Sequence, residues 1–272
     1  MLFRSGLDVS RTGWVQALES NASGLLHSHA DQHLLCARTQ TRLLPASAIR
    51  EAMDDRIAQQ EAKESRKLGR RERNELKDEI VQTLLPRALT RSQLTRALLI
   101  ESRGLILIDA RTAARAEDLL NLLRETLGTL AVKPLVPARN PVEIMTDWLA
   151  GARLPPRFAL GQHCDLRDPL HQANVVRCRA QDLSTAEVRN HLEAGKTVAG
   201  LGLQWSDRMQ FVLSEDLSVS GIKYLDVRER DAGYEVEDEA AELARQDADF
   251  VLMAMELDKL VEDLVGVFGS AG

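Results

Sequence analysis

Apolar residues come along this chain in two rhythms, and the switches between them mark its elements. From His33 to Leu44, "HLLCARTQTRLL", β-favouring residues run without a helical period and stop at Pro45, which predicts a strand. Beyond the proline the spacing lengthens. Ile49, Met53 and Ile57 fall at helical spacing, and Ser47 is placed to cap the helix they predict. Gly69 interrupts it, and "RRERNELKDEIVQTLL" resumes the helix until Pro86. Few large apolar residues stand between Gln59 and Asn74, so the two helices cannot be buried on every side. They predict a projecting helical hairpin with Lys63 to Arg73 near its tip.

The strand rhythm returns in "LTRALLIESRGLILIDA", two β-rich runs around a turn at Glu101 to Gly104. "TAARAEDLLNLLRETLG" predicts an amphipathic helix, with Ala116, Leu119, Leu120, Leu123 and Leu127 on one face and Gly128 as its stop. "NPVEIMTDWLAGA" predicts a shorter one, with Pro141 at its first position. "PPRFALGQHCDL" and "ANVVRCRAQDL" read as strands. In "STAEVRNHLEAGK", Ser184 and Glu187 have the spacing of a capping box, and Gly195 closes the helix. "TVAGLGLQW", "MQFVLSED" and "SVSGIKYLDV" follow as a meander, and a helix-rich segment runs from about Glu237 to Phe268. The fold class is therefore α+β: antiparallel sheets and meanders with interspersed helices and a projecting helical hairpin.

At 272 residues and 44% hydrophobic, the chain can bury one large core or two smaller ones. The N-terminal "MLFRSGLDVSR" lacks the apolar centre of a signal peptide, and no apolar run approaches the ~18–20 residues of a membrane span. Three cysteines without a CxxC pair, Cys36, Cys164 and Cys178, predict a reduced cytoplasmic protein. The net charge of −6 conceals an asymmetry. Residues 1–115 hold 19 Lys and Arg against 14 Asp and Glu, whereas the remainder holds 16 against 27. From Asp226 onward acids outnumber bases 14 to 4. A basic half beside an acidic end suggests a polyanion-binding face on a protein that otherwise repels polyanions.

Candidate catalytic groups do not converge. His27, His29 and His33 cluster with Asp31 in "LLHSHADQHLL", but the spacing is that of a polar surface loop rather than a zinc site. His163 beside Cys164, and His171 near Cys178, lack a third orienting group for a Cys/His nucleophile. "EVEDEAAELARQDAD" could supply carboxylates to a metal-dependent nuclease, yet it sits around a helix start, where acids favour the dipole. Neither GxxxxGK[ST] nor GxGxxG occurs.

The basic segment stands apart. Lys63, Arg66, Lys67, Arg70, Arg71 and Arg73 face only two acids, and Arg87, Arg91, Arg96 and Arg103 follow. Such a set can neutralise a comparable run of phosphates. No Phe, Trp or Tyr falls between Trp14 and Trp148, which argues against base stacking and single-strand modules. The profile is that of backbone-reading, sequence-tolerant duplex binding.

Six stretches now carry a resemblance: "ESRKLGRRERNELKDEIVQTLLPRA", "GLILIDARTAARAEDLLNLLRETLGTL", "EIMTDWL", "QDLSTAEVRNHLEAGK", "LGLQW" and "DADFVLMAMEL". In this order and spacing the chain resembles the recombination-associated protein RdgC family, from about Gly13-Trp14-Val15 to the last helix. The resemblance implies a non-enzymatic protein of the cytoplasm and nucleoid, without cofactor or metal. Crescent-shaped subunits would pair at both ends into a ring whose basic hole admits double-stranded DNA of any sequence, restraining the RecA recombinase. Candidate phosphate contacts are Arg66, Lys67, Arg70, Arg71, Arg87, Arg91, Lys196 and Arg208.

For the homodimer, Leu89 stands where the family has a phenylalanine at the tip contact, and Gln181 and Glu187 match the base contact, where Ala180 replaces a lysine. The resemblance also implies a leading strand and helix before "GWV", where only "MLFRSGLDVSRT" stands, leaving a neighbouring sheet edge open. Residues 1–45 with 94–150 would form a central region, 46–93 the helical tip, and 151–272 a base with the meander and the last helices. The alternative is an interaction module that regulates a recombinase by direct contact through the acidic helix, with DNA binding secondary.

Overall fold

In the computed structural model, which describes residues 8–18, 24–225 and 239–269, every strand pairing is antiparallel. The first sheet holds β1 (Ser10–Val15), β2 (Leu26–His29), β3 (Gln32–Leu43), β4 (Leu89–Ile100) and β5 (Leu105–Ile108). β3 is its spine: β4 pairs along its whole length on one side, while β2 and then β1 share the other. The segment expected to leave an edge open thus supplies β1. No strand lies outside it among the described residues, and Arg11 puts charge on that edge.

Between β3 and β4 stand α1 (Ala46–Glu64) and α2 (Arg70–Leu84), the expected hairpin. α1 has no buried residue. The pair closes on a small core of Leu68, Leu76 and Ile80 against Met53 and Ile57. Ser47 does not cap α1. Pro45, whose ring fixes φ at −60°, holds the extended cap position, and its carbonyl accepts from Ile49 (3.3 Å). α1 stops at Ser65, in the left-handed region (φ 51°), and α2 begins after Gly69. Glu72 fixes this turn. Its Oε2 accepts from the Gly69 amide (2.8 Å), the half of a capping box that a glycine permits. It also takes both fork nitrogens of Arg66 (2.9 and 2.6 Å).

α3 (Ala113–Leu127) lies on one face of the first sheet, where Leu119 packs on Ala37 and Ala97, and Trp14 Nε1 donates to Thr126 (2.8 Å). α4 (Pro141–Ala150) follows, with Asn140 capping it and Pro141 at its first position as expected. The second sheet runs β10-β9-β8-β6-β7, from β6 (Phe158–Arg167), β7 (Val175–Arg179), β8 (Thr197–Trp205), β9 (Met209–Ser214) and β10 (Val219–Tyr224). Met145, Trp148, Trp205, Phe211 and Phe268 are among the side chains of its core. α5 (Ala186–Glu193) starts without the expected capping box. Asp182 draws the Ser184 hydroxyl (2.7 Å), Thr185 takes the cap position, and Glu187 turns to Gln181.

The last helix, α6 (Glu239–Phe268), includes the expected acidic helix; Asp226 to Asp238 lie outside the described residues. By its contacts the chain divides into two units, Met1–Ala131 with Ala240–Val251, and Val132–Glu239 with Leu252–Gly272. None of the described helices is long and apolar enough to cross a membrane.

Two measurements test this architecture. A Cβ at Gly161 would meet the Gly202 backbone at 3.0 Å, where β6 bulges against β8, whereas one at Gly200 would meet only ordinary contacts from 3.6 Å. Gly161→Ala should therefore destabilise the second unit by roughly 1–3 kcal/mol and lower its melting temperature, as overpacking does, with Gly200→Ala close to neutral. Equal effects would remove the close approach as the cause. The second concerns Glu72, whose carboxyl is held down at about 2 by the Arg66 guanidinium first and the Gly69 amide next. Because the folded value lies below the unfolded one, the turn is fully held above the ordinary carboxylate range and loosens as pH falls toward 2. A carboxyl NMR titration should place Glu72 near 2 and move it upward in Arg66→Gln; an ordinary midpoint would separate the turn from this pair.

Candidate nucleic-acid interface

The expected cations sort by whether a carboxylate already holds them. Arg66 lies between Glu64 (2.6 Å) and Glu72, and these neighbours keep its guanidinium more firmly protonated than usual. Arg73 bridges Glu61 and the Leu68 carbonyl (3.3 and 3.2 Å), and the Leu68 amide, the Arg73 guanidinium and Lys67 keep the Glu61 carboxyl below its usual range. These two arginines build the turn. Arg71 pairs with Glu75 one helical turn on (2.9 Å), but at 91% exposure that contact is weak and free to exchange. Lys67, Arg70, Arg87 and Arg91 are exposed, and among the described residues no carboxylate lies within 4.0 Å of them.

Arg91 lies on β4, whose first half has β3 on one side and, among the described residues, no strand on the other, because β5 pairs only with Ala97 to Ile100. On the face that α3 covers further along, the uncovered end is polar: Thr12 meets Thr39 (2.9 Å), Ser10 meets Thr41 (3.2 Å), and Gln93 takes the Arg115 guanidinium. A pocket of about 300 Å³ opens there, lined by Arg91, Gln93, Leu94, Asp109, Arg111 and Arg115. Arg111 and Arg115 were not among the expected contacts. Their signal was present in "DARTAAR", two arginines astride the helix cap Thr112, but nothing local joined them to Arg91.

The remaining candidates fall in the second unit. Arg208 Nη1 donates to Glu256 (2.6 Å), which is only 16% exposed, so that arginine is held. Lys196 is half-buried after α5, with its amide on the His191 carbonyl. Gln181 and Glu187 are brought together, with Gln181 Nε2 donating to Glu187 Oε2 (3.0 Å). In the first unit, Leu89 opens β4 at 79% exposure directly opposite Leu43, itself 46% exposed. These two leucines form an apolar pair open to solvent.

The histidines are not on a surface loop as expected. His27 and His29 lie on β2 and His33 on β3, and their bonds diverge. His27 Nε2 is 2.9 Å from Asp247, though off the line of a hydrogen bond, with its ring edge-on to Phe250; His33 Nδ1 meets Ser28 (2.9 Å). Among the described residues no three His, Cys, Asp or Glu side chains are grouped to hold a metal. The three cysteines are free and buried. Cys164 and Cys178 are cross-strand partners, and burial first, then its neighbour, pushes the Cys164 thiol well above its ordinary value. A thiolate nucleophile is disfavoured there.

Similarity to known proteins extends over nearly the whole chain. The sequence model of the family described as "Putative exonuclease, RdgC" matches residues 4–271. The "Recombination-associated protein RdgC" of Proteus mirabilis (strain HI4320) is 40% identical over 266 residues, covering 97% of this chain and 87% of the relative. Those of Yersinia pestis (strain Pestoides F) and Yersinia pseudotuberculosis serotype O:1b (strain IP 31758) are each 40% identical over 264 residues, covering 96% and 86%. The match spans both sheets, the helical hairpin and α6, and the chain belongs to the RdgC family.

Proposed function

We propose that this protein binds double-stranded DNA without sequence preference, through phosphates rather than bases, and does no chemistry on it. The observation that carries this is the partition of charge at the hairpin and on β4. Arg66 and Arg73 are consumed by the turn, while Lys67, Arg70, Arg87 and Arg91 stand exposed with no carboxylate within 4.0 Å among the described residues, and Arg71 is held only by an exposed pair. The stretch from Val15 to Asp147 has no Phe, Trp or Tyr for stacking on bases. Lys196 and Arg208 add charge in the second unit, with Arg208 needing to leave Glu256 first.

Two copies would pair into a ring around the duplex, one contact centred on Leu89 and the other on Gln181 and Glu187. A closed two-fold assembly uses each patch against its own copy, and exposed leucines 89 and 43 are the kind of surface that such a contact covers. Coating of DNA would then restrain RecA at the nucleoid, by occupancy and not by direct contact. Direct contact through α6 is the alternative. The two separate by stoichiometry: a coating inhibitor needs enough protein to cover the DNA, and a contact inhibitor tracks the recombinase.

The family description favours a second reading, exonucleolytic cleavage. Incubation of the pure protein with end-labelled linear duplex and Mg²⁺ or Mn²⁺ should release no nucleotides; processive loss of label would establish the second reading instead.

Two further outcomes are expected. Lys67→Gln with Arg70→Gln should flatten the dependence of log affinity on log salt by about 1.8, two phosphates' worth, on random-sequence duplex. An unchanged slope would take the hairpin out of the interface. Leu89→Asp should leave a folded protein whose sedimentation is that of a monomer and which escapes quickly from covalently closed circles, and a dimer undisturbed by this change would remove Leu89 from the contact.

A further inference from the structure

We propose that Arg91, Arg111 and Arg115 together hold a single phosphate of the DNA backbone, in the pocket beside the uncovered end of β4. Three elements meet there. Arg91 and Gln93 rise from the strand, Arg111 comes from the segment between β5 and α3, and Arg115 is the third residue of α3. Among the described residues Asp109 is the pocket's one carboxylate, and it lies within 4.0 Å of none of the three guanidinium groups. Gathering three cations around one acid is unfavourable unless an anion joins them. Arg115 is also placed where the positive end of the helix dipole opposes it, in a first turn that carries no acid.

The arrangement is prepared for such a guest. Gln93 takes the Arg115 guanidinium and so fixes its fork, and the planar donors of arginine match phosphate oxygens in pairs. The cavity, about 300 Å³, is on the order of ten times the ~30 Å³ that a water occupies in the liquid, so a phosphate group enters with some of its waters. Its lining is polar apart from Leu94, which suits a hydrated anion and not an apolar ligand.

This inference rests on the duplex-binding reading and sharpens it, because one phosphate held by three arginines behaves differently from three independent contacts. The test compares Arg111→Gln, Arg115→Gln and the double variant with wild type, on random-sequence duplex across a salt series. While Arg91 remains to neutralise the shared phosphate, the single and double variants should lose affinity with little change in the log–log slope, and a triple variant that adds Arg91→Gln should lose only about 0.9. A triple variant with an unchanged slope overturns the proposal, and so does a double variant that loses about 1.8, since that would mean separate phosphates. Arg111→Gln alters an exposed side chain and Arg115→Lys keeps the charge, so melting temperatures of these two guard against a merely misfolded double variant. Wild type that shows no salt-dependent duplex binding would sink the duplex reading itself. A melting-temperature rise with inorganic phosphate, present in wild type and lost in the double variant, would then assign the pocket to free phosphate and overturn its assignment to DNA.

Discussion

The turn between α1 and α2 depends on one carboxylate. Six cations within eleven residues repel one another, and a helical turn made of them would open without something anionic at its centre. Glu72 is that centre, held by both nitrogens of Arg66 and by the Gly69 amide, with Glu61 doing the same for Arg73 and the Leu68 amide. Residues that look alike in the sequence thereby divide the labour. Arg66 in the turn and Arg73 on the first turn of α2 become internal fasteners. Lys67 in the same turn and Arg70 at the start of α2 keep their charge available to the outside. A basic run is therefore not a uniform patch, and its available charge is what remains after its own acids are satisfied.

A difference in strand length shapes the rest of this surface. β4 has 12 residues and β5 only four, so among the described residues the far half of β4 has no strand beyond it. Where α3 covers the sheet, the face is Trp14, Ala37 and Ala97, met by Leu119 of the helix; further along it changes to Thr12, Thr39, Gln93 and Arg91, and it ends at Leu43 and Leu89. A surface that would be a core if β5 and α3 were longer is instead polar, then apolar and open. Both the arginine pocket and the exposed leucine pair occupy this uncovered stretch.

Most of the elements could be read from the sequence because their signals are local. The hairpin was visible in the spacing of Ile49, Met53 and Ile57 and in the break at Gly69, and the β4–β5 turn in Glu101 to Gly104. Caps were less legible, since nearby groups compete for the same bond. Pro45 displaced Ser47, and Asp182 captured Ser184 ahead of the α5 backbone. β2 was missed because His27 and His29 read as loop residues; only pairing with Leu34 and Gln32 of β3 makes them a strand.

Of the candidate site, the identity of the cations was legible but their availability was not. Arg208 and Arg71 are alike in sequence, yet one is held by a mostly buried Glu256 some fifty positions away and the other by an exposed neighbour. Arg111 and Arg115 escaped notice for the converse reason: they join Arg91 only through the sheet and α3. On the proposed duplex-binding reading, this same separation predicts tolerance of sequence. Contacts drawn from a helical turn and a strand end are fixed relative to the backbone of the protein, and the repeating feature of DNA that such a fixed set can meet at every position is the phosphate, not the base. A groove-reading site would need an element that enters the groove with three or four side chains aimed at base edges, and neither the paired turn of α1 and α2 nor the hydroxyl-lined end of the first sheet supplies one.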